Sequence, residues 1–235
     1  GTQISKTYKG FVKRKRLLIL VSLLLLIICI IVAAQNGPIA ISFLDVTRAL
    51  FTFDTAGVGG VIWNIRMVRI VGALFAGVGL AVSGVVMQCI LRNPLASPFT
   101  LGISSAAAFG ASFAIIFLGA GSSMSSIVSI NNPYITTICA FLFSLLATGA
   151  ILILTKLTKV SAETMILAGV AISVMFSAGL SFMQYIATDS QLGNIIAWTF
   201  GDLGKATWSW NSIILVLLLP VVFYFFYKRW DYNAL

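Results

Sequence analysis

The chain has 235 residues, of which 60% are hydrophobic and only 9% charged. A soluble domain carries roughly 25% charged residues; a chain this apolar cannot cover a soluble body, so the composition points to lipid as the solvent. The net charge of +9 would suit a nucleic-acid binder, but six of the fifteen Lys and Arg residues fall in the first sixteen positions and no basic patch is interleaved with aromatics, which argues against nucleic acid as a partner.

The chain opens on a basic segment, residues 1–16, ending in Lys13-Arg14-Lys15-Arg16. The first span follows over residues 17–34. Its apolar run is longer than the roughly 7–15 residues of a signal peptide, so it reads as a spanning helix, which needs about 20 apolar residues. Asn36-Gly37-Pro38 is a turn, residues 42–53 predict a short amphipathic helix, and Gly57, Gly59 and Gly60 end it. The second span is expected over 65–91. Asn93-Pro94 and Ser97-Pro98 bracket a tight connection, after which the third span runs over 101–118. The serine- and asparagine-rich stretch 119–133 reads as a surface loop, and the fourth span covers 134–154.

The fifth span covers 164–187. Residues 189–205 are polar and glycine-spaced, with an apolar stretch, Ile195 to Phe200, expected as a short interfacial helix. The sixth span, 209–227, contains Pro220, tolerated in lipid where neighbours satisfy the freed carbonyl. Placing the N-terminus in the cytoplasm and alternating six spans puts eleven Lys and Arg residues inside and four (Arg48, Arg66, Arg69 and Lys205) outside. That bias orients the chain with both ends cytoplasmic. The expected fold class is all-α, a polytopic transmembrane helical bundle over residues 17–235 in the cell membrane, with membrane lipid as its surroundings.

Chemistry-bearing residues are few. There is no histidine, the commonest general base and metal ligand. Cys29, Cys89 and Cys139 sit in apolar runs without CxxC spacing and read as buried free thiols. No GxxxxGK[ST] phosphate loop is present, so the chain does not hydrolyse ATP itself. No catalytic residue, cofactor or metal site is expected. Small residues spaced four apart, such as Gly79 with Ser83 in the second span and Ala107 with Ala111 in the third, read as close helix packing. Ser173, Ser177 and Ser181, with Gln184, share one face of the fifth span; they could line a water-filled pathway or hydrogen-bond neighbouring helices. Arg66 and Arg69, three apart, share one face at the outer start of the second span. They could snorkel at the interface or dock an acidic partner.

Six stretches carry a resemblance. Arg66-Met67-Val68-Arg69 leads a glycine-rich helix ending Gly84-Val85-Val86-Met87-Gln88. Arg92-Asn93-Pro94-Leu95-Ala96-Ser97-Pro98 and Leu101-Gly102-Ile103-Ser104-Ser105-Ala106-Ala107 follow, and further on stand Leu167-Ala168-Gly169-Val170-Ala171, Trp198-Thr199-Phe200-Gly201-Asp202-Leu203 and Trp208-Ser209. These resemble the permease family of ABC importers for iron-siderophores, haem and vitamin B12. Ala106 stands where that family usually has Gly, and Asp202 where it has Ser.

The resemblance implies a permease in a homodimer or a pair of related permeases, two separate ATPase subunits, and an extracytoplasmic binding protein delivering a metal chelate or cobalamin. It implies that Arg66 and Arg69 dock that binding protein, and that Asn93-Pro94-Leu95 and Ser161-Ala162-Glu163 close a cytoplasmic gate. It also implies about ten spans of about 20 residues each, against which these six read as an N-terminal part. A secondary transporter or channel, independent of any ATPase, is the alternative from another class.

Overall fold

The computed structural model describes residues 2–53, 56–120, 133–158 and 162–234, and among them the regular structure is helical. The helices are α1 (Thr2–Gln35), α2 (Phe43–Thr52), α3 (Gly57–Val61), α4 (Val68–Leu91), α5 (Ile103–Phe117), α6 (Pro133–Thr158), α7 (Ala162–Ile186), α8 (Asp189–Phe200) and α9 (Trp208–Ala234). A π-type segment, Ile62–Met67, joins α3 to α4, so the helical path of the second span begins at Gly57 rather than at 65. Helix α1 likewise runs through position 16 without a break, and Pro220 lies inside α9.

Among the described residues, five helical stretches are long and apolar enough to cross a membrane: Val12–Gln35, Gly57–Leu91, Tyr134–Lys156, Thr164–Ile186 and Trp208–Asp231. The third expected span is the exception. Helix α5 has 15 residues, a rise of about 22 Å against a hydrocarbon layer of about 30 Å. The reason is local: turns occupy residues 97–102, and the helix starts only after Gly102, whose φ is +73°.

The described residues form two compact units, and both α4 and α9 contribute to each. In the first, residues 1–75 and 203–214, the core is Ala34, Ile41, Val46, Ala49 and Ile62, joined by Leu50, Met67 and Ile70. Helix α2 is amphipathic as its sequence predicts. Val46 and Ala49 face this core, while Leu44 and Phe51 are exposed. Trp63 donates its indole N–H to the Ala49 carbonyl at 3.0 Å, stacks on Phe53 at 5.2 Å and lies 6.3 Å from Trp208. Such amphipathic rings suit the membrane–water boundary. Buried Asn211 donates to the Val68 carbonyl at 2.8 Å; it passes Gly72, where a Cβ would stand 3.2 Å from its Oδ1.

In the second unit, residues 76–202 and 215–235, helix α5 packs against α6, α7 and α8. Its Ala106, Ala108, Ala111, Ser112, Ala114 and Ile115 are buried. Small residues let backbones close in where lipid supplies no hydrophobic drive, and Gly110 shows the limit: a Cβ there would lie 2.6 Å from the Cys139 carbonyl oxygen. A ring cluster fills the remaining volume, with Phe109 5.2 Å from Phe143 and 5.6 Å from Phe176.

Helix α8 is longer than the six-residue stretch expected. It starts in a reciprocal cap in which Thr188 accepts from the Gln191 N–H and the Gln191 side chain accepts from the Thr188 N–H. The cysteines are free, but none is fully buried and Cys29 is exposed. An apolar neighbourhood in sequence means lipid contact on α1, most of whose described side chains are exposed.

Candidate functional site

The connection between α4 and α5 is an ordered knot of turns. Arg92 leaves α4 at φ +46°. Asn93 Oδ1 accepts from the Leu95 N–H at 2.8 Å, and the Asn93 carbonyl accepts from the Ala96 N–H at 3.1 Å. Asparagine suits this place because its short amide can mimic a backbone turn and it tolerates tight conformations. Gln88 reaches out of α4 to donate to the Pro94 carbonyl at 3.1 Å. Ser97 and Thr100 bond each other's backbone and side chain across the next turn.

The result leaves Leu95 77% exposed at the tip while Ala96 is 1% exposed beneath it. Ala96 packs with Leu91, Leu101 and Ile151, and with Met165 and Ile166 from the first turns of α7. Ala96, next to the first expected gate segment, therefore packs with residues two and three beyond the second. Ala162 and Glu163 open α7, and Ser161 lies outside the described residues, as does most of the stretch 119–133.

Deeper along α7 the same connection is seated without clearance. A Cβ on Gly102 would stand 2.8 Å from the Ser173 nitrogen, and one on Gly169 2.8 Å from the Leu101 Cα. The serine stripe begins here. Ser173 Oγ lies 2.9 Å from Ser105 Oγ on α5, and Ser177 Oγ donates to the same Ser105 Oγ at 3.4 Å. Ser181 Oγ donates to the Ser177 carbonyl at 3.1 Å and is exposed, and Gln184 is half-buried. Of the two uses open to this face, Ser173 and Ser177 serve the α5–α7 contact. Ser105 was missed as their partner, because nothing in a single sequence pairs positions 68 residues apart.

The arginine pair is split. Arg69 is exposed. Arg66 is 7% exposed and donates through Nη1 to the Ala34 carbonyl and through Nη2 to the Ile39 carbonyl. Ala34 lies in the last turn of α1, where carbonyls have no helical partner and the helix dipole favours a cation. Gly37 makes room, since a Cβ there would be 3.1 Å from Arg66 Nη2. The expectation that both guanidinium groups aim outward together is thus corrected. The register of a π-type segment differs from that of an α-helix, and the Ala34 and Ile39 carbonyls draw Arg66 inward.

Asn194 was also not foreseen. It is fully buried on α8, and neither polar atom of its amide has a hydrogen-bond partner among the described residues. Among the described residues no group of three His, Cys, Asp or Glu side chains is placed to hold a metal ion.

A model of the FecCD transport family matches residues 24–235. A protein of Methanocaldococcus jannaschii named as an ABC transporter permease is 48% identical over 233 residues, covering 99% of this chain and 67% of the relative. The hemin transport system permease protein of Yersinia pestis is 34% identical over 189 residues, 80% of this chain and 54% of the relative. A solved structure described as an inward-facing conformation of a metal-chelate type ABC transporter aligns with a TM-score of 0.71 at 29% identity, covering 89% of this chain and 61% of that one. The chain thus spans about two thirds of the first relative's length and about half of the second's.

Proposed function

The chain belongs to the FecCD transport family, and from that premise we propose that it is part of the membrane-spanning permease of an ATP-driven importer whose cargo is a chelated iron complex, haem or cobalamin. The observation that carries this reading is the family match over residues 24–235. It accords with a multi-pass helical chain. The permease works as a homodimer or with a related permease, with two ATPase subunits below and an extracytoplasmic binding protein above. Nucleotide state in the ATPase biases inward-open against outward-open forms, which requires only differential binding to the two. The test is uptake of labelled ferric siderophore, haem and cobalamin into proteoliposomes holding the whole transporter. Uptake that persists without the ATPase subunits sinks the reading in favour of a channel or secondary carrier.

The gate is proposed at Asn93-Pro94-Leu95 and Ser161-Ala162-Glu163. Support comes from the exposed Leu95 on a base stiffened by Pro94 and the Asn93 turn. Leu95→Cys in two copies of the permease should crosslink across the pathway and stop uptake until reduced. Full uptake with the crosslink formed removes the gate. The pathway wall is proposed on the part of the serine face that packing leaves free, Ser181 and Gln184, with Ser173 and Ser177 at its α5 edge.

Docking of the binding protein is proposed on the arginine pair, with exposed Arg69 making the contact and buried Arg66 fixing the chain around it. Arginine suits carboxylate partners through its planar fork. Rim charges of this kind act mainly on the association rate. Arg69→Glu should slow association about tenfold at low salt and leave membrane insertion unchanged; an unchanged association rate removes Arg69 from the dock.

Both ends of the chain are proposed to be cytoplasmic. A cysteine at Ser125 should react with an impermeant reagent from outside, and one at Lys156 only from inside; the reverse pattern overturns the orientation.

A further inference from the structure

Beside the point where Arg66 enters the wall lies a cavity of about 460 Å³. Its lining includes Asn36 and Ile39 from the turn after α1, Ile65 and Arg66 from the π-type segment, and Arg69 and Ile70 from α4. The charge balance there is unusual. Arg66 is buried and its recorded partners are two neutral carbonyls. The end of α1 supplies at most about half a negative charge. Arg69 adds a second cation to the same cavity, and among the described residues none that lines it is acidic. The ion pair found among the described residues is elsewhere, between Lys228 and Asp231. A buried cation without an anion is costly, and the cost is relieved by a counter-ion.

We propose that this cavity binds the phosphate of an anionic phospholipid. Two observations choose lipid over other anions. The volume lies within the roughly 300–1,000 Å³ of ligand sites, far more than a bare phosphate fills. The rest of the wall is aliphatic, with Ile39, Ile65 and Ile70, which suits a glycerol backbone and the start of acyl chains. The two arginines provide the donors that phosphate oxygens need, while the Asn36 amide already donates to the Val32 carbonyl at 2.9 Å. Basic pockets between membrane helices are physically suited to such headgroups. The inference does not rest on the transport reading, because it follows from charge and cavity shape in one part of the fold.

The experiment is native mass spectrometry of the full chain in detergent, titrated separately with phosphatidylglycerol, phosphatidylcholine, inorganic phosphate and a glutamate-rich peptide. Phosphatidylglycerol should bind about fivefold more than phosphatidylcholine, the scale of one or two basic contacts at a membrane surface. Arg69→Gln, which leaves the carbonyl contacts of Arg66 in place, should lower that preference severalfold, and Lys156→Gln should not. Equal binding of the two lipids overturns the proposal, as does a preference that survives Arg69→Gln. Phosphate that binds without lipid preference makes this a free-anion site, and peptide that binds where phosphatidylglycerol does not makes it a protein dock. Either outcome removes the lipid.

Discussion

Replacing Gly102 by alanine is expected to destabilise the chain by about 2–5 kcal/mol, the sum of two costs with one cause. Its φ of +73° is a left-handed conformation that costs an L-residue with a Cβ about 1–2 kcal/mol. The new methyl would then stand 2.8 Å from the Ser173 nitrogen and 3.0 Å from the Gly169 oxygen. These are backbone atoms of a helix, not the end of a flexible side chain, so the connection between α4 and α5 has to lift off α7. Overpacking of this sort costs a further 1–3 kcal/mol or so. Melting followed by fluorescence-detected size exclusion should show a fall in midpoint, with Gly77→Ala as the comparison. Nothing lies within 4 Å of a Cβ at Gly77, and alanine there gains up to about 1 kcal/mol of helix propensity. If the two variants melt alike, the close seating of residues 101–102 on α7 is wrong.

Arg66→Met is the second large effect. Methionine keeps much of the volume and removes a buried charge, a change that can stabilise when nothing else depends on the charge. Here the Ala34 and Ile39 carbonyls depend on it. A carbonyl left buried without a donor costs about 1–3 kcal/mol, which applies in full at Ala34 and in part at Ile39, whose bond is only partly buried, so a net loss of about 2–4 kcal/mol is expected in the same melting assay. Arg66→Lys should fall between, because one ammonium cannot fork to both oxygens. Arg69→Gln should move the midpoint little, as exposed substitutions do. A neutral Arg66→Met would mean that water reaches the end of α1 and that the arginine is not needed to satisfy it.

Much of the fold is legible from hydropathy, because lipid imposes a simple rule: apolar for about 20 residues, or not in the bilayer. That rule places α6, α7 and α9 close to their observed positions and the end of α1 within a residue, though not its start, and period-3.6 amphipathicity places α2. It says nothing of conformation within a span, so the π-type segment and the early start at Gly57 were not readable. Helix α8 was only half read, although Thr188 with Gln191 three residues on is a capping signature visible in the sequence.

The site was legible in its residues and not in its pairings. The connection through Asn93, Pro94 and Leu95 announced itself by turn chemistry. The partners of Ser173, Arg66 and Asn211 are long-range, and the physics that chose them is the need to satisfy particular polar groups away from water. Arg66 shows the cost of reading spacing alone: three residues apart implies one face only if the backbone between them is a regular α-helix.

The shortness of α5 bears on sidedness through parity. Each crossing reverses the compartment, so one uncounted helix reverses every later loop. Counting only the five long helices, and starting again from a cytoplasmic N-terminus, would move Lys156, Lys159, Lys228 and Arg229 to the outside and Lys205 to the inside. Eight basic residues would then face the cytoplasm and seven the exterior, erasing the asymmetry that orients membrane chains. Counting α5 restores eleven against four. The arginines and lysines are thus the reason to propose a crossing too short to be seen by its own length, in a helix that packs against α6, α7 and α8.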